Sequence, residues 1–254
     1  MIKWLQNISD DISHKVSILI PTYNNVHFLE ECIHSIVSSS NKCCKYEILI
    51  GIDNCYKTLQ LVDSNTLFKN KNIKIYYFPK NVGPYIIRNS IANKAKYDNL
   101  LFFDSDDIMM ANTIQILMEN FEGKELLKFK FYNFENENGY KTQDKLSLSK
   151  IYAHASFLIK KNKFYEMNGF FGWKCGADAE FAERYEGQGN NIQHMDVPLF
   201  YRRYHNNNIT RLPETGLNSK LRSRYGKIII ENRINQKWKN PSKPEVFVSN
   251  LIVV

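Results

Sequence analysis

No stretch of this 254-residue sequence is apolar for long enough to span a bilayer, and its first fifteen residues contain no apolar core of signal-peptide length. We therefore expect neither export nor membrane insertion. Internal repeats are also missing, which argues against a solenoid or fibrous architecture. With 43% hydrophobic and 24% charged residues, the composition is typical of a folded globular protein.

The cysteines lack the spacing of a disulfide framework or a zinc site. There are five of them: Cys32, Cys43, Cys44, Cys55 and Cys175. They form no CxxC pair, have no histidine at zinc-ligand spacing, and are odd in number. Free thiols in a reducing compartment fit this pattern, so we expect a cytoplasmic protein.

Positive charge is concentrated near the end of the sequence. Residues 206–254 contain nine Lys or Arg and three Glu, a net charge of +6 out of +8 for the whole chain. The stretch "LNSKLRSRYGKIII" places five apolar residues near one face of a predicted helix, from Leu217 to Ile229. This extension is either a docked helix with a solvated face or a surface for anionic lipid or a phosphorylated substrate. A nucleic-acid partner is not expected, because the basic residues lack interleaved aromatics and a binding motif.

Up to about residue 120, short apolar strands alternate with helical patterns. The predicted strands are "VSILI", "YEILIGI", "IKIYYF" and "NLLFF", and the predicted helices are "VHFLEECIHSIVSSS", a stretch near 56–69 and "YIIRNSIANKAK". This order predicts an α/β fold with a mostly parallel, Rossmann-like central sheet flanked by helices. Beyond residue 125, "ELLKFKFYNF" and "IYAHASFLI" are predicted strands around a polar segment, residues 136–145, so this half is mixed.

Polar residues follow each of the four predicted strands. They are "PTYNN" at 21–25, Asp53 with Asn54, "NVGPYIIRN" at 81–89, and "DSDD" at 104–107. The carboxyl ends of parallel strands meet at one edge of a sheet, where α/β proteins bind ligands. Three carboxylates within four positions repel one another unless a cation lies between them. Each motif alone also fits an ordinary turn or helix cap, and their joint order is what indicates a site.

In this order, the motifs resemble those of family-two glycosyltransferases of the GT-A fold. The resemblance rests on "VSILIPTYNN", "IGID", "NVGPYIIRN", "FFDSDD", "NGF" followed by "GADAEFAERY", and "YRRYH", and covers about residues 16–205. It implies a GT-A domain over 1–205, with a nucleotide-sugar half at about 15–120 and an acceptor half at about 121–205. Residues 206–254 then form a basic helical extension packed on that domain.

The resemblance also implies roles for the strand-end residues. Pro21, Thr22 and Tyr23 line the nucleobase pocket, Asp53 accepts the ring N–H of uracil, which cytosine lacks, and Arg88 helps to fix that pocket. The predicted contacts to the nucleotide sugar further include Asn81, Gly83, Asp104 and Ser105. Asp106 is the predicted ligand of a Mn²⁺ or Mg²⁺ ion on the donor diphosphate, since hard carboxylate oxygens suit these cations. Asp107 is expected to support that site or to cap a helix.

Histidine and a later carboxylate complete the predicted site. By the same resemblance His205 contacts the metal or the diphosphate, and the alternative is a surface histidine at an exposed strand end. Asp178 matches the family's catalytic base, although Ala177 replaces the first acid of the usual Glu-Asp pair, and Glu180 is the alternative base. His154 and Trp173 are expected at the acceptor site, His154 as part of a strand.

These residues predict transfer of a sugar from a UDP-sugar donor to a hydroxyl on a glycan, glycolipid or protein-linked acceptor, metal-dependent and with inversion. The alternative is a catalytically degenerate module that binds nucleotide sugars or glycans and uses its basic end to bind polyanions. A phosphatase of the haloacid-dehalogenase type is disfavoured, because its nucleophilic Asp belongs to the first strand, whereas three strands precede the strand that leads into Asp104. Peripheral contact with an anionic membrane and a homodimer are further predictions, the latter from the apolar run "VFVSNLIVV".

Overall fold

The computed structural model describes residues 14–40, 44–135 and 146–246, and the backbone of residues 252–253. The strands of its first half are β1 (Lys15–Thr22), β2 (Lys45–Asp53), β3 (Ile73–Phe78), β4 (Asn99–Phe102) and β5 (Ile108–Met109). The helices between and after them are α1 (Val26–Ser39), α2 (Tyr56–Ser64), α3 (Pro84–Ala92) and α4 (Thr113–Glu119), with a 3₁₀ turn at Thr66–Lys69. The predicted strands and helices of this half are therefore confirmed.

The second half contains the two longest strands of the described chain, together with three helices. Its strands are β6 (Leu126–Glu135), β7 (Ser147–Leu148), β8 (Phe157–Lys160), β9 (Gln193–Tyr204) and β10 (Ile252–Val253). Its helices are α5 (Lys161–Glu166), α6 (Ala177–Gly187) and α7 (Lys220–Asn235).

One sheet runs through the described residues in the order β10-β3-β2-β1-β4-β8-β6-β9-β5, with β7 beside β6. β1 pairs parallel with β2 and β4, and β2 pairs parallel with β3, as predicted for the first half. In the second half β8 is antiparallel to both of its neighbours, whereas β6 and β9 are parallel. Because β1, β2 and β4 are parallel neighbours, their carboxyl ends lie at one edge of the sheet.

The core has two layers, one on each face of the sheet. In β1, Ile18 and Ile20 pack with α1, α2 and α4, whereas Leu19 faces α3, α5 and α6. This alternation within a fully buried strand is the geometry expected where helices cover both faces.

The predicted strand "IYAHASFLI" is only partly correct. β8 begins at Phe157, and residues 151–156, including His154, form bends and irregular chain. The hydroxyl of Ser149 accepts the backbone N–H of Ile151 at 3.1 Å and donates to its carbonyl at 2.8 Å, which holds the chain in a turn rather than a ladder. The polar segment 136–145 lies outside the described residues.

Individual residues of the basic extension contact the rest of the described chain. α7 spans 220–235 rather than 217–230, and Leu217, expected on its packed face, is 70% exposed. Tyr225 stacks on Trp173, with ring centroids 4.2 Å apart and planes at 4°. Beyond α7, the carbonyls of Pro241 and Glu245 accept hydrogen bonds from Asn168 and Asn89.

The end of the predicted apolar run extends the sheet, because β10 pairs antiparallel with β3. Nowhere in the described chain is a helix both long enough and apolar enough to cross a membrane.

Candidate active site

The ends of β1 and β2 carry the first predicted site residues. Pro21 and Thr22 are buried, and Tyr23 is 57% exposed beside them. The hydroxyl of Thr22 is buried and has no hydrogen-bond partner among the described residues. A buried hydroxyl without a partner is rare in folded proteins, so this atom is a good candidate for contact with a ligand.

Asp53, at the end of β2, holds the turn before α3. Its two carboxylate oxygens accept the backbone N–H groups of Val82 at 2.8 Å and Gly83 at 2.9 Å. Gly83 has φ of +88°, a conformation that favours glycine. Burial raises the pKa of Asp53, and these two hydrogen bonds oppose that rise. Asp53 thus positions the predicted nucleotide-binding turn that includes Asn81, and its contact with uracil stays a prediction.

Arg88, on α3, forms a salt bridge with Asp104 at the end of β4. The Arg88 side chain is 2% exposed, and its Nε atom has no hydrogen-bond partner in the described chain. Burial raises the pKa of Asp104, while the Arg88 charge counteracts this effect. Arg88 therefore sits at the carboxylate cluster, and its predicted role at the base pocket is untested.

Ser105 links the two strand ends that flank the cluster. Its hydroxyl accepts a hydrogen bond from the Asn25 side-chain amide at 2.9 Å, and its side chain is buried. This bond joins the chain after β1 to the chain after β4.

Asp106 lies against residues that follow β9. Its Oδ2 atom is 2.8 Å from Nε2 of His205 and accepts the Asn208 amide at 3.0 Å. His205 is 2% exposed and packs on Phe28, so the alternative of a surface histidine is excluded.

Asp107 anchors β9 to the cluster. Its Oδ1 atom accepts the backbone N–H of Arg203 at 3.0 Å, and the Arg203 guanidinium donates to the carbonyl of Asp106 at 2.8 Å. Arg203 also pairs with Glu31 of α1. Burial, followed by the charges of Asp106 and Asp104, raises the pKa of Asp107 well above its ordinary value.

The carboxylates of Asp104, Asp106 and Asp107 offer oxygens that all lie within 4.8 Å of one another. Clustered carboxylates are hard ligands of the kind that Mg²⁺ and Mn²⁺ prefer, and a cation would relieve the repulsion that raises the pKa values of Asp104 and Asp107. The donor set therefore fits the predicted divalent cation. Asp106, with His205 beside it, is the residue best placed to be a ligand.

Asp178 lies in the first turn of α6, as predicted, and is half-buried. Its Oδ1 atom accepts the Tyr85 hydroxyl at 2.6 Å. Burial acts to raise its pKa, but the Tyr85 hydrogen bond and the nearby Arg88 and His154 outweigh burial and hold the pKa below the ordinary value. A lowered pKa favours the ionised carboxylate, which is the form that a general base requires.

Glu180, the alternative base, is buried in a salt bridge with Arg184. Nε of Arg184 donates to it at 2.8 Å, and the guanidinium also donates to the carbonyls of Met167 and Gly169. Glu180 is 1% exposed, so it serves packing and is disfavoured as a base.

The two residues predicted for the acceptor site, His154 and Trp173, have different surroundings. His154 is exposed at the surface of a cavity whose walls include Ala179, the residue after Asp178. Trp173 is half-buried, and its ring stacks with the rings of Phe171 and Tyr225.

Three residues of the site were missed from the sequence: Tyr85, Arg203 and Asn208. Tyr85 belongs to "NVGPYIIRN", and its apolar neighbours suggested only helix packing. Arg203 and Asn208 flank His205 in "YRRYHNNN", where a run of polar residues gives no sign of which ones turn inward.

Comparison with solved structures supports this fold. The Staphylococcus aureus protein TarS, residues 1–349 in complex with UDP-GlcNAc, matches over 87% of this chain and 72% of that chain, at 20% identity and a TM-score of 0.64. The complex of TarS 1–349 with UDP matches over 87% and 71%, at 21% identity and a TM-score of 0.62. These likenesses confirm the predicted GT-A fold.

Curated relatives match over part of their length. A poly(ribitol-phosphate) beta-glucosyltransferase of Bacillus spizizenii is 30% identical over 157 residues, 61% of this chain and 22% of the relative. The poly(ribitol-phosphate) beta-N-acetylglucosaminyltransferase TarS of Staphylococcus aureus is 30% identical over 105 residues, 40% of this chain and 18% of the relative. The chain thus matches less than a quarter of the length of either relative.

The sequence profile described as Glycosyl transferase family 2 matches residues 17–185, from β1 to the last turns of α6. That range holds the three clustered aspartates and Asp178, and it covers more than half of the sequence. The chain therefore belongs to glycosyl transferase family 2.

Proposed function

We propose that this protein transfers a sugar from a UDP-sugar to an acceptor hydroxyl, with inversion at the anomeric carbon. The observation that carries the proposal is the placement of two distinct acidic sites near Arg88: the carboxylate cluster, and the separate carboxylate of Asp178. The carboxylate cluster is suited to binding a diphosphate with its cation, and Asp178 is suited to act as the catalytic base. The solved complexes of TarS with UDP and UDP-GlcNAc support the choice of donor.

The base is Asp178. It takes the proton of the acceptor hydroxyl as that oxygen bonds to the anomeric carbon, and the bond from that carbon to the diphosphate breaks, with its electron pair leaving on UDP. A single displacement from the opposite face inverts the configuration. The Tyr85 hydroxyl, 2.6 Å from Oδ1 of Asp178, orients the carboxylate.

The donor lies over the ends of β1, β2 and β4. The unpartnered hydroxyl of Thr22 and the Arg88 guanidinium supply hydrogen-bond donors there. Asp106, with Asp104 and His205, would hold Mn²⁺ or Mg²⁺, which supplies positive charge to stabilise the departing diphosphate.

The acceptor belongs to the glycan or glycolipid class. Both named relatives act, by their descriptions, on poly(ribitol-phosphate), a polymer with many hydroxyls.

The outer face of α7 gives the protein a surface for an anionic membrane. Lys220, Arg224 and Lys227 lie on it, together with Ile230 and Ile234, which are 53% and 74% exposed. Basic and apolar groups on one exposed helix face are typical of peripheral membrane contact.

A thermal-shift panel of UDP, GDP, CDP and ADP, with Mn²⁺ or with EDTA, tests the donor assignment. UDP at a hundred times its dissociation constant should stabilise the protein by about 2.7 kcal/mol, and EDTA should remove most of that gain. Equal shifts with all four nucleotides would refute a uracil pocket.

A UDP-release assay with a UDP-sugar and an acceptor mixture separates the enzyme from the alternative. Release of UDP together with a glycosylated product supports a transferase. A degenerate binding module would bind UDP in the shift assay and release none from the sugar nucleotide.

A further inference from the structure

A cavity of about 340 Å³ opens beside the first turns of α6, outside the carboxylate cluster. Its floor is β6, and one side is the stripe of α6 that begins with Ala179 and Ala182. These two small side chains leave open space above the sheet. Asp178 immediately precedes this stripe, so the cavity adjoins the proposed base.

Lys128 of β6 lies in the floor of this cavity and is 5% exposed. Lys128 is paired in register with Phe157 of β8 on one side and with His194 of β9 on the other. It therefore lies in the interior of the sheet and not on an edge strand. Within the described residues, no hydrogen bond or ion pair engages its ammonium group. Buried lysines are normally paired, because an unpaired charge loses its hydration.

The acidic groups that face Lys128 do not form a salt bridge with it. Glu183 is on the same cavity wall, but its carboxylate is paired with Arg233 of α7, whose Nε lies 2.9 Å away. Asp178 accepts the Tyr85 hydroxyl instead. Glu186 is exposed at the wall. The described carboxylates therefore leave the Lys128 ammonium available to another anion.

The remaining walls provide donors suited to an anion. His154 and His194 both line the cavity, and Lys150 adds a second, exposed ammonium at its edge. The ring of His194 packs on Tyr152 with centroids 4.2 Å apart, which holds one imidazole in place. An imidazole N–H donates to phosphate or carboxylate oxygens whether or not the ring is charged.

The geometry points to this cavity as a subsite for an anionic group of the acceptor, a phosphate or a carboxylate, held by Lys128 with His154 and His194. The cavity wall includes Ala179, which follows Asp178 in the chain, so a group bound there would limit which acceptor hydroxyl reaches the base. The acceptor assignment rests on the proposed function, whereas the binding of an anion at Lys128 does not.

Binding is tested by NMR on protein carrying lysine labelled with ¹³C at the ε carbon. Glycerol 1-phosphate and glucuronate are the phosphate and carboxylate probes, and glycerol and glucose are their neutral controls. We expect a saturable shift of the Lys128 signal with at least one anion and none with the neutral compounds. The relative affinities of the two anions identify which group the subsite prefers.

Lys128→Met removes the charge with little change in volume and should weaken binding of the preferred anion by at least about tenfold. Lys71→Met, at an exposed lysine near the start of β3, is the matched control and should bind as the unmodified protein does. Lys128→Gln provides a second neutral variant should Lys128→Met fail to unfold cooperatively. Unchanged affinity in the folded variants, or no saturable shift at Lys128, would overturn the subsite.

UDP binding is measured on the same samples, so that the two proposals can fail separately. Anion binding at Lys128 in a protein that does not bind UDP refutes the proposed function and leaves the anion subsite intact. UDP binding and transfer without any anion effect at Lys128 refutes the subsite alone.

Discussion

Nε2 of His205 lies 2.8 Å from Oδ2 of Asp106, although 99 positions separate the two residues in the chain. The contact joins the end of β9 to the carboxylate cluster that follows β4, and Asn208 donates to the same oxygen at 3.0 Å. The second half of the chain therefore completes a carboxylate cluster whose three aspartates all come from the first half. Because His205 and Asn208 both contact Asp106, substitutions beyond residue 200 should affect the carboxylate cluster.

Asp106→Ala should weaken UDP binding in the presence of Mn²⁺ by at least tenfold, because it removes the residue best placed to hold the cation that, in the proposed function, would supply positive charge to the diphosphate. Its affinity for UDP should no longer respond to EDTA. His205→Ala should reduce the Mn²⁺-dependent affinity by about 10–100-fold. Isothermal titration calorimetry with Mn²⁺ and with EDTA measures both effects, and an unchanged Mn²⁺ response in Asp106→Ala would contradict the metal assignment.

Asp178→Asn keeps the size of the side chain but removes its basicity, so transfer should fall by about 10²–10⁴-fold. UDP affinity should stay within twofold, because Asp178 lies outside the carboxylate cluster. Asp63→Asn, at an exposed position of α2, is the matched control and should behave as the unmodified protein does. Near-normal turnover in Asp178→Asn would remove Asp178 as the base.

Tyr85→Phe should change the pH dependence of transfer. The Tyr85 hydrogen bond lowers the pKa of Asp178, so its loss raises that pKa and protonates the base at a higher pH. The acidic limb of the kcat/KM profile should then move to higher pH. Tyr165→Phe is the control, because the Tyr165 hydroxyl is buried without a partner among the described residues. A profile that does not move would exclude Tyr85 as a residue that positions the base.

Much of the first half was predictable, because fully buried parallel strands give continuous apolar runs that end at the polar residues of the site. "IKIYYF" coincides with β3, and "DSDD" follows β4 as expected. A place for His205 at the metal or diphosphate was suggested only by family resemblance, since nothing local in "YRRYH" shows that its histidine is buried, and its contact with Asp106 was not predicted. Sequence alternation reflects the faces of a strand but not the contacts made by distant segments.

The second half was harder for the same reason. In "ELLKFKFYNF" the alternation is typical of a strand with lysines facing solvent, yet Lys128 is buried because α6 covers that face. "IYAHASFLI" alternates as well, but Ser149 holds the chain in a turn before β8 begins. In both cases a tertiary contact outweighs a local pattern.

Glu47→Gln should destabilise the protein at neutral pH by about 1.5–3 kcal/mol, because Glu47 is buried and accepts charge-assisted hydrogen bonds. Its oxygens accept from Ser17 at 2.6 Å and from Lys74 at 2.8 Å. Although burial alone would raise it, these partners hold the pKa of Glu47 below its ordinary value of 4.5. The stabilisation is therefore present above about pH 4.5 and is lost as the pH falls through the folded-state pKa.

Urea unfolding of both proteins at several pH values measures this effect. The difference in unfolding free energy between the unmodified protein and Glu47→Gln should shrink as the pH drops below 4.5. Glu122→Gln, at an exposed glutamate, should differ little from the unmodified protein at any pH. A Glu47 effect that is constant with pH would show that shape rather than charge is responsible.

Replacing Lys220, Arg224 and Lys227 together with Gln should weaken binding to anionic vesicles by about 10²-fold, since each basic residue near such a surface contributes about 1 kcal/mol. The three side chains are exposed on α7, so the domain itself should stay folded and should still bind UDP. Sedimentation with phosphatidylglycerol vesicles, at low and at high salt, measures the effect, and phosphatidylcholine vesicles are the neutral control. Attraction between charges predicts that high salt releases the unmodified protein from the anionic vesicles. Equal binding to both vesicle types would attribute the contact to Ile230 and Ile234 alone, and absence of binding to either would remove the membrane from the proposed partners.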